Sequence, residues 1–177
     1  MPIASSQDVL AFWFASAQAS RWYAKDDNLD AEIRRRFLAT YEAACAGKLD
    51  GWRQTPESLL ALIIVLDQFP RNMFRGQARA FASDARAVSL TREGIEKGFD
   101  GRVSAAQLDF FYMPLMHSES LRDHDLLLQR GHGGNRYACQ HREIIARFGR
   151  FPHRNEALGR ETTAAEAAYL AQPHPSF

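Results

Sequence analysis

The stretch TPESLLALIIVLDQFPRN, residues 55–72, decides the fold. Thr55 can accept hydrogen bonds from the unpaired amides of a helix start, Pro56 fits the first turn, and Glu57 suits the positive helix end. The run that follows, LLALIIVL at residues 59–66, is apolar on all sides, as in a helix that is covered on more than one side. A buried parallel strand is the alternative, but the cap and the length favour a helix. The stretch therefore predicts the central helix of the core.

The rest of the chain also carries helical spacing and helix caps, and no alternating strand pattern competes with them. We predict seven to nine helices joined by short turns, which gives an all-α fold with antiparallel neighbours in a single domain, residues 1–177. The pairing of helices suggests a solenoid-like stack. The tetratricopeptide consensus, however, does not recur in the sequence at a fixed spacing. The predicted helices are one capped by Ser6, one capped by Asp27, one over residues 78–97, one opened by the capping box Ser104–Gln107, one over residues 136–148 that stops at Gly149, and one opened by the capping box Thr163–Glu166.

The end of the opening stretch occurs twice in the chain. FPRN at residues 69–72, the first phrase, returns as FPHRN at residues 151–155, the second phrase. Proline cannot continue a helix and disfavours the helical conformation of the phenylalanine before it. We therefore predict that a helix ends just before each phrase and that each phenylalanine is buried. Arg71 or Arg154 would cap carbonyl groups or pair with a carboxylate, and the asparagine would close the turn.

The charged residues near the two phrases suggest a second interpretation. The chain has 22 basic and 21 acidic residues and a net charge of +1, so we predict no nucleic-acid partner and no membrane partner. Residues 136–160 nevertheless hold six arginines against two glutamates. Arginine binds carboxylate and phosphate in bidentate fashion, so two phrases that met would form a basic pocket for a small anion or an acidic peptide. Alternatively, these arginines pair within the fold with Asp67, Asp84 and Glu119.

A histidine and a glutamate in the segment HSE, residues 117–119, are candidates for catalysis. His117 could act as a general base that Glu119 or an aspartate orients, or it could be a histidine that simply bonds to a neighbour. His117 and His124 share a helical face, but there is no HExxH and no CxxC, so we predict neither a metal nor another cofactor. Ser118 lacks the GxSxG context of a hydrolase nucleophile.

Two further features concern the location of the protein. Cys45 and Cys139 each lie in a helical apolar pattern, which predicts two buried thiols in a reducing cytosol. The longest apolar run, residues 59–66, is far shorter than the roughly 20 residues that cross a bilayer. The N-terminus lacks the basic region of a signal peptide, so we predict a cytoplasmic protein. The sequence predicts no oligomeric state.

Several motifs are shared with a known family. LDQFPRN-x-FRG, MPLMHSE, RFGRFPHRN-x-x-LGR and the final PSF resemble the bacterial domain-of-unknown-function family nine-two-four, over nearly the whole chain. The resemblance implies an all-helical, tetratricopeptide-like fold and no assigned reaction. The family usually has glutamine at the position of His124, and its stretch after HSE is less rich in glycine. The family's motif positions correspond to Asp67, Gln68, Arg71, Asn72, Arg75, His117, Ser118, Glu119, His141, Arg150, His153, Arg154 and Asn155.

Three hypotheses about function follow from these residues. The first is a binding module that holds an anionic ligand at both phrases. The second is an enzyme in which His117 and Glu119 act as acid and base on an anionic substrate. The third is a purely structural arginine–carboxylate network. The residues predicted to bind ligand are Asp67, Arg71, Asn72, Arg75, His141, Arg150, His153, Arg154 and Asn155.

Overall fold

The computed structural model of the protein describes residues 2–15, 21–22 and 24–172, and the final PSF motif lies outside them. These residues form eight α-helices and short 3-10 and π turns, with no strand, which confirms the predicted all-α fold. Tetratricopeptide-like stacking stays a prediction. The helices are α1 (Ser6–Trp13), α2 (Asp27–Cys45), α3 (Pro56–Met73), α4 (Asp84–Glu96), α5 (Ala105–His117), α6 (Leu121–Leu127), α7 (Arg136–Phe148) and α8 (Ala164–Leu170).

The chain divides into two compact units, each with its own packing. Unit 1 comprises residues 1–75 and 79–114, and unit 2 comprises residues 76–78 and 115–177. The first phrase therefore lies in unit 1 and the second in unit 2. The predicted single domain stays a prediction. No helix among the described residues is long and apolar enough to cross a membrane.

Helix α3 forms the centre of unit 1, as the sequence predicted. Thr55 accepts from the amide of Ser58 at 3.2 Å, and every side chain from Leu59 to Leu66 is fully buried. Helices α1, α2 and α4 pack against α3. Burial on several sides explains why this segment has no polar face before Asp67.

The predicted helix end at the first phrase is wrong, because α3 continues through Pro70 to Met73. Pro70 has no amide hydrogen, so the carbonyl of Leu66 loses its partner within the helix. The hydroxyl of Ser83 donates to that carbonyl at 2.6 Å instead. This bond satisfies the acceptor that proline leaves unpaired, so the helix tolerates Pro70. Phe69 is fully buried, as predicted.

Three other local predictions differ from the structure. The helix predicted over residues 78–97 is a 3-10 turn, Ala78–Phe81, followed by α4, because Ser83 lies between them and bonds to α3. The first two helices begin one residue earlier than predicted. Ser5 accepts from the amide of Asp8, and Asp26 accepts from two amides of its helix, so these residues are the N-caps.

The prediction that both cysteines are buried is wrong. Cys45 is exposed and Cys139 is only partly buried. Cys45 is the last residue of α2, where the apolar face that follows Leu29, Ile33 and Phe37 no longer reaches the core. Helical spacing predicted the face correctly but not where its burial ends.

Unit 2 contains α6, α7, the second phrase and α8. Helix α7 has the predicted bounds, starting after its N-cap Asn135 and ending at Gly149, whose φ of 69° is the left-handed conformation that glycine favours. Helix α6 packs against α7, and α8 packs against the 3-10 turn Pro152–Arg154. The second phrase thus follows a helix end, as predicted.

Candidate functional site

The arginine of the first phrase is bound by carboxylates of unit 1. Arg71 makes a bidentate contact with Asp84 at 2.9 and 3.0 Å, and its Nη1 also donates to the main-chain oxygen of Asp67 at 2.6 Å. Burial alone would lower the pKa of Arg71, but the charges of Asp67 and Asp84 outweigh it and raise that pKa. Arg71 therefore stays charged inside an internal ion-pair network.

The neighbouring residues of the first phrase are bound in the same way. Asp30 of α2 accepts from Asn72 at 2.7 Å and from two nitrogens of Arg75, each at 2.9 Å. Gln68 donates to Asp67, which is almost completely buried. The predicted binding residues of the first phrase thus make contacts that hold α2, α3 and α4 together.

The second phrase is built around a buried aromatic ring. Phe151 is fully buried, and the imidazole centroids of His124, His141 and His153 lie 6.2, 5.6 and 5.5 Å from its centroid. The guanidinium carbon of Arg154 lies 4.4 Å from the same centroid, a cation–π distance. A single phenylalanine therefore gathers three imidazoles and a positive charge.

Two of these imidazoles are buried and bonded to main-chain oxygens. His141 Nδ1 lies 2.7 Å from Tyr137 O, and His124 Nε2 lies 2.8 Å from Ser118 O. Because a carbonyl oxygen only accepts, each of these nitrogens carries the hydrogen. Burial lowers the pKa of His124, and burial together with the nearby histidines lowers the pKa of His141 to about 3. Both rings are therefore neutral at pH 7.

The candidate base partner Glu119 accepts three hydrogen bonds. They come from the amide of Phe151 at 2.8 Å and from two nitrogens of Arg160 at 2.7 and 3.0 Å. Burial alone would raise the pKa of Glu119, but these bonds outweigh it and lower that pKa. Glu119 is therefore an ionised acceptor that holds the start of the second phrase.

Sequence reasoning left Arg160 out of the predicted site. Besides binding Glu119, Arg160 donates to Phe151 O at 3.0 Å and to Asn155 Oδ1 at 3.0 Å, so it connects both ends of the second phrase. The available signal was its position as the last residue of the motif RFPHRN-x-x-LGR.

Arg150 lies beside the second phrase but binds the last helix. Its guanidinium donates to both carboxylate oxygens of Glu166 at 2.6 and 2.8 Å, and to Glu161 O at 2.8 Å. The hydrogen bond from Arg150 is the main cause that lowers the pKa of Glu166. Glu166 also accepts from the amide of Thr163, which confirms the predicted capping box.

The remaining predicted residues lie together in unit 2. Arg154 is 5% exposed and donates to His117 O at 3.0 Å. His117 is half-buried and His153 is exposed. Within the described part of the chain, no group of three or more histidine, cysteine or acidic side chains is arranged to hold a metal ion. A pocket shared by both phrases stays a prediction.

Comparison with known proteins places the chain in a family. The family model described as "Bacterial protein of unknown function (DUF924)" matches residues 9–174. A solved structure of a protein of unknown function, ATU0120 from Agrobacterium tumefaciens, is 42% identical and superposes with a TM-score of 0.86, covering 94% of this chain and 96% of that one. The comparison with curated proteins gave no match. The match of the family model over almost the whole chain shows that this protein belongs to the bacterial family DUF924.

Proposed function

We propose that this protein binds a small anionic molecule, or the acidic end of a peptide, at the second phrase in unit 2. His117, His153 and Arg154 are the proposed binding residues. One observation carries this proposal: the charge of Arg154 lies 4.4 Å from the Phe151 ring centroid, and an exposed imidazole and a half-buried one belong to the same cluster.

The charges around the second phrase favour an anion. Glu119 accepts from the amide of Phe151, the first residue of the phrase, and Arg160 binds both oxygens of Glu119. Because His124 and His141 are neutral at pH 7, Arg154 supplies the positive charge of the cluster around Phe151. The guanidinium of Arg154 donates to His117 O, and guanidinium groups bind carboxylate and phosphate through paired, charge-assisted hydrogen bonds.

The first phrase is a weaker candidate for the same task. Arg71 lies between two carboxylates, and Arg75 shares Asp30 with Asn72. A ligand that bound these arginines would have to displace a carboxylate that is already well placed. We therefore assign the first phrase to the stability of unit 1 and the second to binding.

Acid–base catalysis at His117 is a second candidate function. His117 is half-buried, and imidazole is the side chain that most often serves as a general acid or base. Glu119 would then hold the main chain rather than carry a proton, because its oxygens already accept from Arg160 and Phe151. Catalytic turnover of an anionic substrate that is lost in His117→Ala and kept in Glu119→Gln would support this assignment.

Calorimetric titration tests the binding proposal. Inorganic phosphate, succinate and a peptide ending in two glutamates are titrated into the full chain at pH 7. We expect binding that weakens at least about tenfold in His153→Ala and in Arg154→Lys, which loses the bidentate geometry. Arg79→Ala, which removes an exposed arginine of unit 1, is the control and should bind as the wild type does.

The outcomes separate the hypotheses. Equal affinity in wild type, His153→Ala and Arg154→Lys would disprove binding at the second phrase. Weaker binding in Arg75→Ala as well would favour the predicted pocket formed by both phrases. A loss of stability without any ligand effect in all variants would favour the purely structural network.

A further inference from the structure

We propose that the histidines around Phe151 form a proton-sensing site, in which proton uptake by His124 and His141 below about pH 6.5 opens the second phrase. This inference goes beyond the proposed function, since it needs no ligand and concerns the two buried imidazoles rather than the accessible ones.

Most histidines of the chain lie near Phe151. The chain has six histidines, and four of them, at positions 117, 124, 141 and 153, belong to this part of unit 2. Three of the rings contact Phe151, and the carbonyl of His117 accepts from Arg154. A histidine that becomes protonated in this cluster therefore lies near the permanent positive charge of Arg154 and near other imidazoles.

The surroundings of the two buried imidazoles, those of His124 and His141, favour the neutral form. Each gives its single N–H to a main-chain oxygen, Ser118 O for His124 and Tyr137 O for His141. The other nitrogen of His124, Nδ1, is buried and has no hydrogen-bond partner among the described residues. Protonation of His124 would add a hydrogen-bond donor and a positive charge at Nδ1, which has no acceptor among the described residues. Burying such a group is costly.

The charged groups that face the cluster do not remove this cost. From α6, Asp123 favours a charged His124, but it already accepts the hydroxyl of Ser118 at 2.6 Å. From the segment between α5 and α6, Glu119 is bound by Arg160. The other facing groups all oppose protonation, namely Arg142 of α7, which is paired with Asp125, and His117, His153 and Arg154.

Protonation would act on the contacts that hold the second phrase. Repulsion between His141, His124 and Arg154 would separate groups that now share the Phe151 ring. The amide of Phe151 and the side chain of Asn155 are held from outside this cluster by Glu119 and Arg160. Because the repulsion acts among the groups around Phe151, we expect residues 151–155 to open locally before the rest of unit 2 unfolds.

The direction of the pH effect follows from the two protonation equilibria. The pKa of His141 is about 3 in the folded chain, whereas an unfolded histidine has about 6.5. The open form binds more protons between these values, so the stabilisation by neutral histidine is present above pH 6.5 and lost as the pH falls. Each buried histidine then raises the opening constant by up to about tenfold per pH unit.

Hydrogen exchange of the full chain at pH 7 and pH 5, corrected for the intrinsic rates, tests this inference. We expect the opening constant of residues 151–155 to rise at least about tenfold at pH 5, while the three tryptophans, all in unit 1, keep their fluorescence. In His141→Gln and His124→Gln, whose amides can donate to the same carbonyls, we expect most of this rise to disappear. His132→Gln, which leaves His117, His124, His141 and His153 in place, is the matched control and should keep the rise.

Two results would overturn the inference. One is an opening constant that does not differ between pH 5 and pH 7. The other is a rise that persists unchanged in both glutamine variants. Should either variant fail to fold, a histidine titration by NMR on the wild type decides instead: buried rings that titrate above about pH 6 without loss of their tertiary shifts contradict the inference.

Discussion

The two copies of the repeated phrase use the same residues in different backbone settings. In the first phrase, Pro70 lies inside α3, since Ser83 donates to the carbonyl that proline leaves without a partner. In the second phrase, Gly149 has already ended α7, and Pro152 begins a 3-10 turn. The comparison teaches that a helix can continue through a proline where another donor replaces the missing amide.

The polar residues of the two phrases differ in charge balance. Arg71 and Arg75 face three carboxylates, Asp67, Asp84 and Asp30, so the first phrase holds its charges in internal pairs. At the second phrase, Glu119 binds Arg160 and lies near Arg154. The internal ion pairs of the first phrase suit a structural role, while a positive charge beside accessible imidazoles suits recognition.

The largest effect is expected from breaking the ion pairs of the first phrase. Arg71→Ala leaves the buried carboxylate of Asp67 and the carboxylate of Asp84 without their shared partner. We expect the free energy of unfolding to fall by about 3–5 kcal/mol, as for a buried pair that loses one member. Urea denaturation followed by tryptophan fluorescence reports unit 1, which holds all three tryptophans.

The control for this prediction is an ion pair on the surface of unit 1. Arg79→Ala breaks the exposed contact with Glu42 and should cost about 1 kcal/mol or less. Similar losses in both variants would mean that the burial of Asp67 adds nothing, and the assignment of the first phrase to stability would be wrong.

The next effect tests why proline is tolerated in α3. Ser83→Ala removes the donor to the buried carbonyl of Leu66, which should cost about 1–3 kcal/mol. Pro70→Ala restores the amide, so the double variant Pro70→Ala/Ser83→Ala should recover most of that loss. Urea denaturation of the four proteins gives the coupling energy. Additive losses in the double variant would refute the role given to Ser83.

Sequence patterns predicted the features that depend on local spacing. The cap at Thr55 and the apolar run that follows it predicted the place of α3 in the core, and the helical pattern before Gly149 predicted the bounds of α7. These features follow from the helical period and from backbone conformation, which neighbouring residues determine.

The features that depend on distant partners were not predictable from spacing. The continuation of α3 through Pro70 needs Ser83, thirteen positions away, and nothing in the local pattern indicates that bond. The gathering of imidazoles around Phe151 likewise needs α6 and α7 to meet at the second phrase. Charge counts indicated where arginines concentrate but not which of them bind internal carboxylates.

A moderate effect is expected from the carboxylate of the second phrase. Glu119→Gln weakens the contact with Arg160 and removes the negative charge that Glu119 presents to Arg154 and Arg160. Because the Glu119 side chain is 29% exposed, we expect a loss of about 1–2 kcal/mol, less than for a fully buried pair. The pKa of Glu119 is lowered in the folded chain, so its stabilisation is present above its unfolded pKa and lost as the pH falls.

This pH dependence separates Glu119 from the histidine site. Unfolding monitored by circular dichroism should show the Glu119 contribution fading below about pH 4.3, whereas the buried histidines act from about pH 6.5 downward. Glu119→Gln should therefore flatten only the acidic part of the stability curve. A change in the curve near pH 6 would contradict the separate roles.

The smallest effect on overall stability is expected at the contact between Arg150 and α8. Most side chains of α8 are exposed, and the helix is held by Glu166 and by Tyr169, whose ring lies 5.2 Å from that of Phe148. Glu166→Gln weakens the bidentate contact and the cap at Thr163 together. We expect hydrogen exchange in α8 to accelerate about tenfold, as for a helix that frays locally, while the unfolding midpoint hardly changes.

Glu161 supplies a matched control for this last change. Arg150 contacts the main-chain oxygen of Glu161 and not its carboxylate, so Glu161→Gln removes the same charge and keeps the contact. We expect exchange in α8 to stay at the wild-type rate in this variant. Equal acceleration in both variants would show that net charge, rather than the pairing of Arg150 with Glu166, holds α8. In that case the second phrase would not extend its polar contacts to the last helix, and its difference from the first phrase would rest on the histidines and Arg154 alone.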